Sequence, residues 1–296
     1  MATEPEAAID PLASAAAAFA GARRRLFGLA YRMLGSVAEA EDLLQEVWLR
    51  WQACDRSVVL DPAAFLTTMT TRLAINAVQS ARVRREAYVG PWLPEPVSTE
   101  GDPELGAERT EALQLAVLLL LERLSPSERA AYVLREAFDY SYEQVAEVVQ
   151  VQEANARQLV SRAKKHLESA KASAISPTEQ RRLLSAFLAA AQSGDTAALT
   201  QLFAAEIVSY SDGGGAARAV RVPVAGRDRV AKFIASFAGF FWTDVEFRWL
   251  EANGQPAVQL NQNGSVLALV TISASSAGIE QIQWLMAPAK LAHFSP

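Results

Sequence analysis

Between Ser141 and Leu167 the chain reads SYEQVAEVVQVQEANARQLVSRAKKHL, and its chemically equipped side chains are Arg157, Gln158, Ser161, Arg162, Lys164 and Lys165. At helical spacing they point mostly away from Ala156, Leu159, Val160 and Leu167, which form the apolar side. Guanidinium and amide groups match base edges in the major groove of DNA, and cations match phosphates. The alternative is an ordinary helical hairpin whose basic face meets only water. A second pair with chemistry is Tyr210 and Asp212, which alternate with Ser209 and Ser211 and so share one face of a strand. A carboxylate beside a phenol is a minimal base and proton donor. No histidine stands near that pair, and the same residues serve equally well as packing and a strand-ending turn.

Positioning the first group requires two short helices. Ser141 with Gln144 forms a capping box for one, striped by Val145, Ala146 and Val149, and the second begins near Glu153. The turn between them, Gln150-Val151-Gln152, lacks the glycine that often stands there, which leaves its geometry open. Upstream, Gly35 ends a helix lined by Leu26, Leu29, Ala30, Met33 and Leu34, and Ser36 with Glu39 caps the next, AEAEDLLQEVWLRW. That helix presents Asp42, Gln45 and Glu46 beside Trp48. Asp61-Pro62 starts a long third helix through Phe65, Leu66, Met69, Leu73, Ile75 and Val78 to about Ala87. Its end carries Asn76, Gln79, Ser80, Arg82, Arg84 and Arg85, and the stretch from Arg72 to Arg85 holds no acid. GPWLPEPVSTEGDPE, from Gly90 to Glu104, reads as a linker whose Trp92 and Leu93 dock it rather than leave it free. Helices are expected from Glu108 to Leu124 and from Pro126 to Phe138.

After Ile175-Ser176-Pro177 the pattern changes. Two helices, roughly Glu179 to Gln192 and Thr196 to Phe203, precede β-rich runs at Ile207–Ser211, Val220–Val224, Val245–Glu251, Val258–Gln262, Val266–Ser273 and Ile279–Met286. A helix from Asp228 to Phe240 interrupts them, and Asn253-Gly254 and Asn263-Gly264 mark hairpin turns. The expected architecture is multidomain: two all-α domains followed by an α+β domain.

Composition bounds the function classes. The chain has 296 residues, a net charge of −5 and 51% hydrophobic residues. Its acidic excess lies before Lys171, so basic stripes sit on an acidic body, an arrangement in which a partner must help any DNA contact. One cysteine, Cys54, and two histidines, His166 and His293, argue against a disulfide or a metal site. The longest apolar run, Leu115 to Leu121, is too short for a membrane span, and the alanine-rich start reads as a frayed tail. The expectation is a cytoplasmic, metal-free protein without cofactor.

Ala40 to Trp51, Phe65 to Arg85, and Leu124 to Leu167, in that order, resemble regions 2 and 4 of bacterial sigma factors of the extracytoplasmic-function class. The resemblance implies that Asp42, Gln45, Glu46 and Trp48 bind core RNA polymerase. It implies further that the loop Gln52 to Asp61, with Asn76, Gln79, Ser80, Arg82, Arg84 and Arg85, melts and reads the minus-10 element. Arg157, Gln158, Ser161, Arg162, Lys164 and Lys165 would then read minus-35 DNA. PWLPEP at Pro91 to Pro96, DGGG at Asp212 to Gly215, and NGQPA at Asn253 to Ala257 are similar to those of the subgroup carrying a cone-shaped, SnoaL-like C-terminal extension. For that subgroup Trp92, Leu93, Asp212, Gly213, Gly214, Gly215, Asn253 and Gly254 are implied as regulatory contacts. The resulting domain expectation is 16–89 for region 2, 90–107 for the linker, 108–174 for region 4 and 178–294 for the extension. The implied partners are core polymerase and promoter DNA, with no membrane, no catalysis, a monomeric free state and room for a small-molecule signal. Two other readings remain open: a helix-turn-helix regulator with a ligand-sensing tail, and a SnoaL-like enzyme.

Overall fold

The computed structural model describes residues 11–99, 114–171, 175–216 and 219–294, and its contacts divide the chain into two compact units. The first unites Met1–Ala81 with Leu124–Ala163; the second unites Arg82–Arg123 with Lys164–Pro296.

In the first unit α1 (Pro11–Leu34) ends at Gly35, whose φ of 66° needs no Cβ to be avoided. Ser36 caps α2 (Val37–Ala53) by accepting from the Glu39 N–H, and Asp61 caps α3 (Pro62–Glu86) by accepting from the N–H groups of Ala63 and Ala64. Leu26, Leu29, Met33, Leu34, Leu44, Val47 and Trp51 are buried between these helices, and the Trp51 indole donates to the Ala15 carbonyl. The face that α3 buries matches expectation at Leu66 and Val78 and departs from it elsewhere. Phe65 is exposed and Met69, Leu73 and Ile75 are half-buried, while Thr67, Thr70 and Thr71 point inward. Each of these hydroxyls donates to the carbonyl four residues earlier at 2.8 Å, so burial leaves it no unmet demand.

The same unit contains α5 (Pro126–Ala137), α6 (Tyr142–Val149) and the start of α7 (Glu153–Lys171); α4 (Leu115–Leu121) precedes them in the second unit. Capping boxes at Ser125/Glu128 and Ser141/Gln144 begin α5 and α6. Residues 108–113, where a helix is expected, lie outside the described residues. Three arginines tie the two sequence segments of the unit together. Buried Arg129 donates to the Met33 carbonyl at 2.6 Å; Arg25 lies 4.9 Å over the Phe138 ring; Arg72 donates to the carbonyls of Glu147 and Val148, both at 3.1 Å. Arg72 thereby satisfies the unpaired, partially negative end of α6.

The second unit carries α8 (Pro177–Ser193), α9 (Thr196–Leu202) and α10 (Arg227–Ala235) with a six-stranded sheet. The strands are β1 (Phe203–Asp212), β2 (Val224–Ala225), β3 (Val245–Ala252), β4 (Gln255–Gln262), β5 (Ser265–Ser275) and β6 (Gly278–Leu285). Their order is β2-β1-β6-β5-β4-β3, with β1 and β6 parallel and every other pair antiparallel. Both Asn-Gly turns have positive φ at both residues, as two-residue hairpins require. The run at Val220–Val224 contributes only a two-residue edge strand, and the expected helix to Phe240 stops at Ala235 before a series of turns. Phe187, Phe203, Ile207, Ile282 and Trp284 form the core under α8 to α10. A short helix, α11 (Pro288–Leu291), follows the last strand.

Candidate functional site

Four surfaces gather the residues with chemistry. On α2, Asp42, Gln45 and Glu46 are exposed, while Trp48 is half-buried with its ring 5.2 Å from that of Phe19. Glu46 pairs with Arg50. Leu49, which completes the same stripe at the spacing 42, 45, 46, 49, is 57% exposed. Sequence reasoning passed over it because a leucine on an amphipathic helix is ordinarily core. Leu49 thus adds one apolar group to the polar stripe of Asp42, Gln45 and Glu46.

Along α3, Asn76, Gln79, Ser80, Arg82 and Arg84 are exposed. Two apolar side chains of the preceding loop, Val58 and Leu60, are 75% and 100% exposed and were not singled out from the sequence. Arg85 departs from the expected role. Only 12% of its side chain is exposed; it pairs with Glu122 and lies 3.6 Å from the Trp92 ring centroid. Its charge is engaged within the second unit instead of being offered to a phosphate.

Helix α7 buries Ala156, Leu159, Val160, Ala163 and Leu167 and exposes Arg157, Gln158, Ser161, Arg162 and Lys165, with Lys164 half-buried. The turn before it is resolved by Gln150, which adopts φ 60°, ψ 50°. Its N–H and that of Val151 close on the last carbonyls of α6, which is the service a glycine usually performs. Within α6 the buried stripe is Val145, Ala146 and Val148, with Val149 half-buried. Arg162 donates to Glu128 at 2.8 Å. Burial opposes ionisation of Glu128, but hydrogen bonds from Arg162 and Ser125 outweigh it and hold the carboxyl below the usual range.

The fourth surface is internal to the second unit, where the linker meets Asp212. This carboxylate is 0% exposed and has four donors. Oδ1 accepts from the Tyr88 hydroxyl at 2.6 Å and the Gly214 N–H at 3.1 Å; Oδ2 accepts from the Leu93 N–H at 2.8 Å and Lys290 Nζ at 2.6 Å. Lys290 also donates to the Leu93 carbonyl and lies 4.4 Å over the Trp92 ring. Leu93 is buried, Trp92 half-buried. Burial pulls the Lys290 ammonium below its ordinary range, partly offset by Asp212, and burial with the Asp212 bond raises the Tyr88 hydroxyl. Gly214, at φ 61°, takes a larger residue only with strain: a Cβ there would stand 3.0 Å from Ala287 and 3.2 Å from the Tyr88 oxygen. Gly213 is buried and Gly215 exposed. Farther along, Asn253 is buried; its N–H donates to the Val97 carbonyl and its side chain accepts from the Val97 N–H. Thr99 donates to the Glu251 carbonyl, the Gly254 N–H donates to the Thr99 hydroxyl, and Ser98 bridges Ala252, so the linker adds a short antiparallel stretch to the end of β3. Tyr210 is half-buried on the same strand face as Asp212, but the carboxylate it would assist has both oxygens occupied.

Among the described residues no cluster of His, Cys, Asp and Glu could hold a metal ion, and no helix is long and apolar enough to cross a membrane. Comparison with known proteins places the α2–α3 surfaces in a match to Sigma-70 region 2 over residues 19–84, and the α6–α7 surface in a match to Sigma-70, region 4 over residues 114–167. The ECF RNA polymerase sigma factor SigJ of Mycobacterium tuberculosis is 39% identical over 73% of this chain and 70% of its own. The probable ECF RNA polymerase sigma factor SigI of the same organism is 30% identical over 95% of each chain. The crystal structure of the extracytoplasmic function sigma factor SigJ matches with a TM-score of 0.74 at 30% identity, covering 94% of this chain and 98% of that one.

Proposed function

The chain belongs to the extracytoplasmic-function sigma factors of RNA polymerase, which direct promoter-specific initiation, and we propose how its surfaces divide that work. Asp42, Gln45, Glu46 and Trp48, joined by Leu49, dock on the core enzyme. Asn76, Gln79, Ser80, Arg82 and Arg84 read the minus-10 element, with Val58 and Leu60 placed to support unpaired bases, since opened strands need apolar contact as well as phosphate neutralisation. Arg157, Gln158, Ser161, Arg162, Lys164 and Lys165 read minus-35. The α+β domain regulates the factor by gripping the linker, and it catalyses nothing. The observation that carries the regulatory half is the four-donor grip on Asp212, which ties Tyr88, Leu93 and Lys290 to one carboxylate. A base role for Asp212 would need one of its oxygens free to take a proton, and both are occupied.

The packing of region 2 on region 4 supports a closed resting state. Promoter elements centred about 25 base pairs apart are separated by roughly 85 Å of B-DNA, far beyond the reach of one compact unit. Arg25, Arg72 and Arg129 hold the two regions in such a unit, so the contacts must part on the promoter.

Transcription with purified core polymerase tests the division of labour. Asp42→Ala with Gln45→Ala is expected to weaken core binding about tenfold or more with the melting temperature unchanged, as for truncated interface anchors; unchanged affinity removes α2 from the core interface. Deleting residues from Pro177 onward is expected to change promoter output, a rise meaning restraint and a fall assistance. Equal output with and without the domain overturns the regulatory reading. Tight operator binding by the protein alone would favour a conventional helix-turn-helix regulator.

A further inference from the structure

The ring of Tyr142 receives two guanidinium groups. That of Arg135, in the last turn of α5, lies 4.7 Å from the ring centroid, and that of Arg157, in the second turn of α7, lies 4.5 Å away. Arg135 is itself fixed by donating to the Tyr140 carbonyl at 2.8 Å, and Tyr142 is seated as the first residue of α6 by the Ser141/Gln144 capping box. Arg157 pairs in addition with Glu153 one turn earlier on its own helix. An otherwise exposed arginine is therefore held from two sides.

We propose that Tyr142 is a positioning residue that sets the Arg157 guanidinium for a base edge, and so fixes the base preference at one position of the minus-35 element. The proposal rests on the reading of α7 given above. A bidentate contact to a base requires the planar guanidinium in one orientation, and an unrestrained arginine surrenders its rotamer freedom on every encounter. The aromatic face removes part of that freedom beforehand, because a cation stacks over the ring quadrupole rather than wandering around it. Arg135 narrows the choice further, since a second cation over the ring excludes Arg157 from the positions it occupies.

The experiment uses the full chain with core polymerase on promoters in which each minus-35 base pair is substituted in turn, reading the ratio of transcripts. Tyr142→Leu is expected to flatten the preference at a single position about fivefold, the size of one such stacking contact, leaving the other positions alone. Tyr142→Phe, which keeps the ring, is expected to restore it, and Arg157→Ala to flatten the same position with no further loss in the Tyr142→Leu, Arg157→Ala double variant. Uniform loss on every promoter, or a phenylalanine variant that behaves like leucine, overturns the proposal in favour of a packing or hydroxyl role. If Arg157→Ala flattens one position and Tyr142→Leu does not, the proposal alone falls. If Arg157→Ala changes no preference, the base-reading role of Arg157 falls with it.

Discussion

A carboxylate withdrawn from water keeps its charge only when hydrogen bonds replace the lost hydration, and Asp212 has a donor for each lone-pair direction it uses. Asp212→Asn preserves shape but takes from Lys290, 12% exposed at its side chain, its hydrogen-bonded counter-charge and leaves only the weaker pull of Glu95. The expected loss is about 3 kcal/mol, because an unpaired buried cation costs more than the pair contributed, and chemical denaturation of the variant measures it. Glu128 carries a different kind of dependence. Its carboxyl is held below the ordinary carboxylate range by Arg162 and Ser125, so its contribution is present above the unfolded value and disappears as pH falls through the folded one. Glu128→Gln is therefore expected to lower the melting temperature near neutrality and to match the parent only once the pH has fallen through the lowered folded value. A difference that persists unchanged into acid would show that the carboxylate charge contributes nothing.

At the scale of elements, the helix-turn-helix is closed by a residue poorly suited to its conformation. Gln150 occupies the left-handed region, which costs an L-residue roughly 1–2 kcal/mol, while glycine pays mainly in unfolded-state entropy. Gln150→Gly is expected to stabilise the protein by about 0.5–1 kcal/mol without altering promoter choice, read by thermal unfolding and transcription in parallel; destabilisation would mean that the glutamine side chain makes the turn in some other way. The threonine face of α3 carries a related lesson. Hydropathy assigns its inward side to Phe65, Leu66, Met69, Leu73, Ile75 and Val78; Leu66 and Val78 are buried there, but Thr67, Thr70 and Thr71 take the remaining inward places because their hydroxyls are satisfied within the helix. The helix is thus packed partly by small, self-satisfied residues, leaving Phe65 exposed and Met69, Leu73 and Ile75 half-buried.

For the molecule as a whole, the proposed function makes closure of the first unit a competitor of promoter binding. Arg72 contributes two of the hydrogen bonds that hold α3 against α6. Arg72→Ala is expected to shift the closed–open balance by about thirtyfold, on the order of 1 kcal/mol for each of the two hydrogen bonds removed. Energy transfer between dyes on α2 and α7 measures it, and identical transfer efficiencies would mean that Arg72 does not hold the unit shut.

What the sequence determined by itself is what short-range chemistry decides. Capping boxes at Ser125 and Ser141, the stop at Gly35 and the two Asn-Gly turns each depend on residues within a few positions of one another, so their identity is sufficient. The exposed faces of α2 and α7 were equally legible, since a helix repeats its sides every few residues. The tertiary structure alone decided the fate of Arg85, drawn from a DNA-facing expectation to Glu122 and Trp92, and the partners of Asp212, a regulatory contact by resemblance whose four donors no local pattern named. It also decided the parallel pairing of β1 with β6 and the addition of Val97–Thr99 beside β3. Those contacts join residues far apart in the chain, 119 positions for Leu93 and Asp212. A buried charge takes whichever partners folding brings to it, and no local pattern records which they will be.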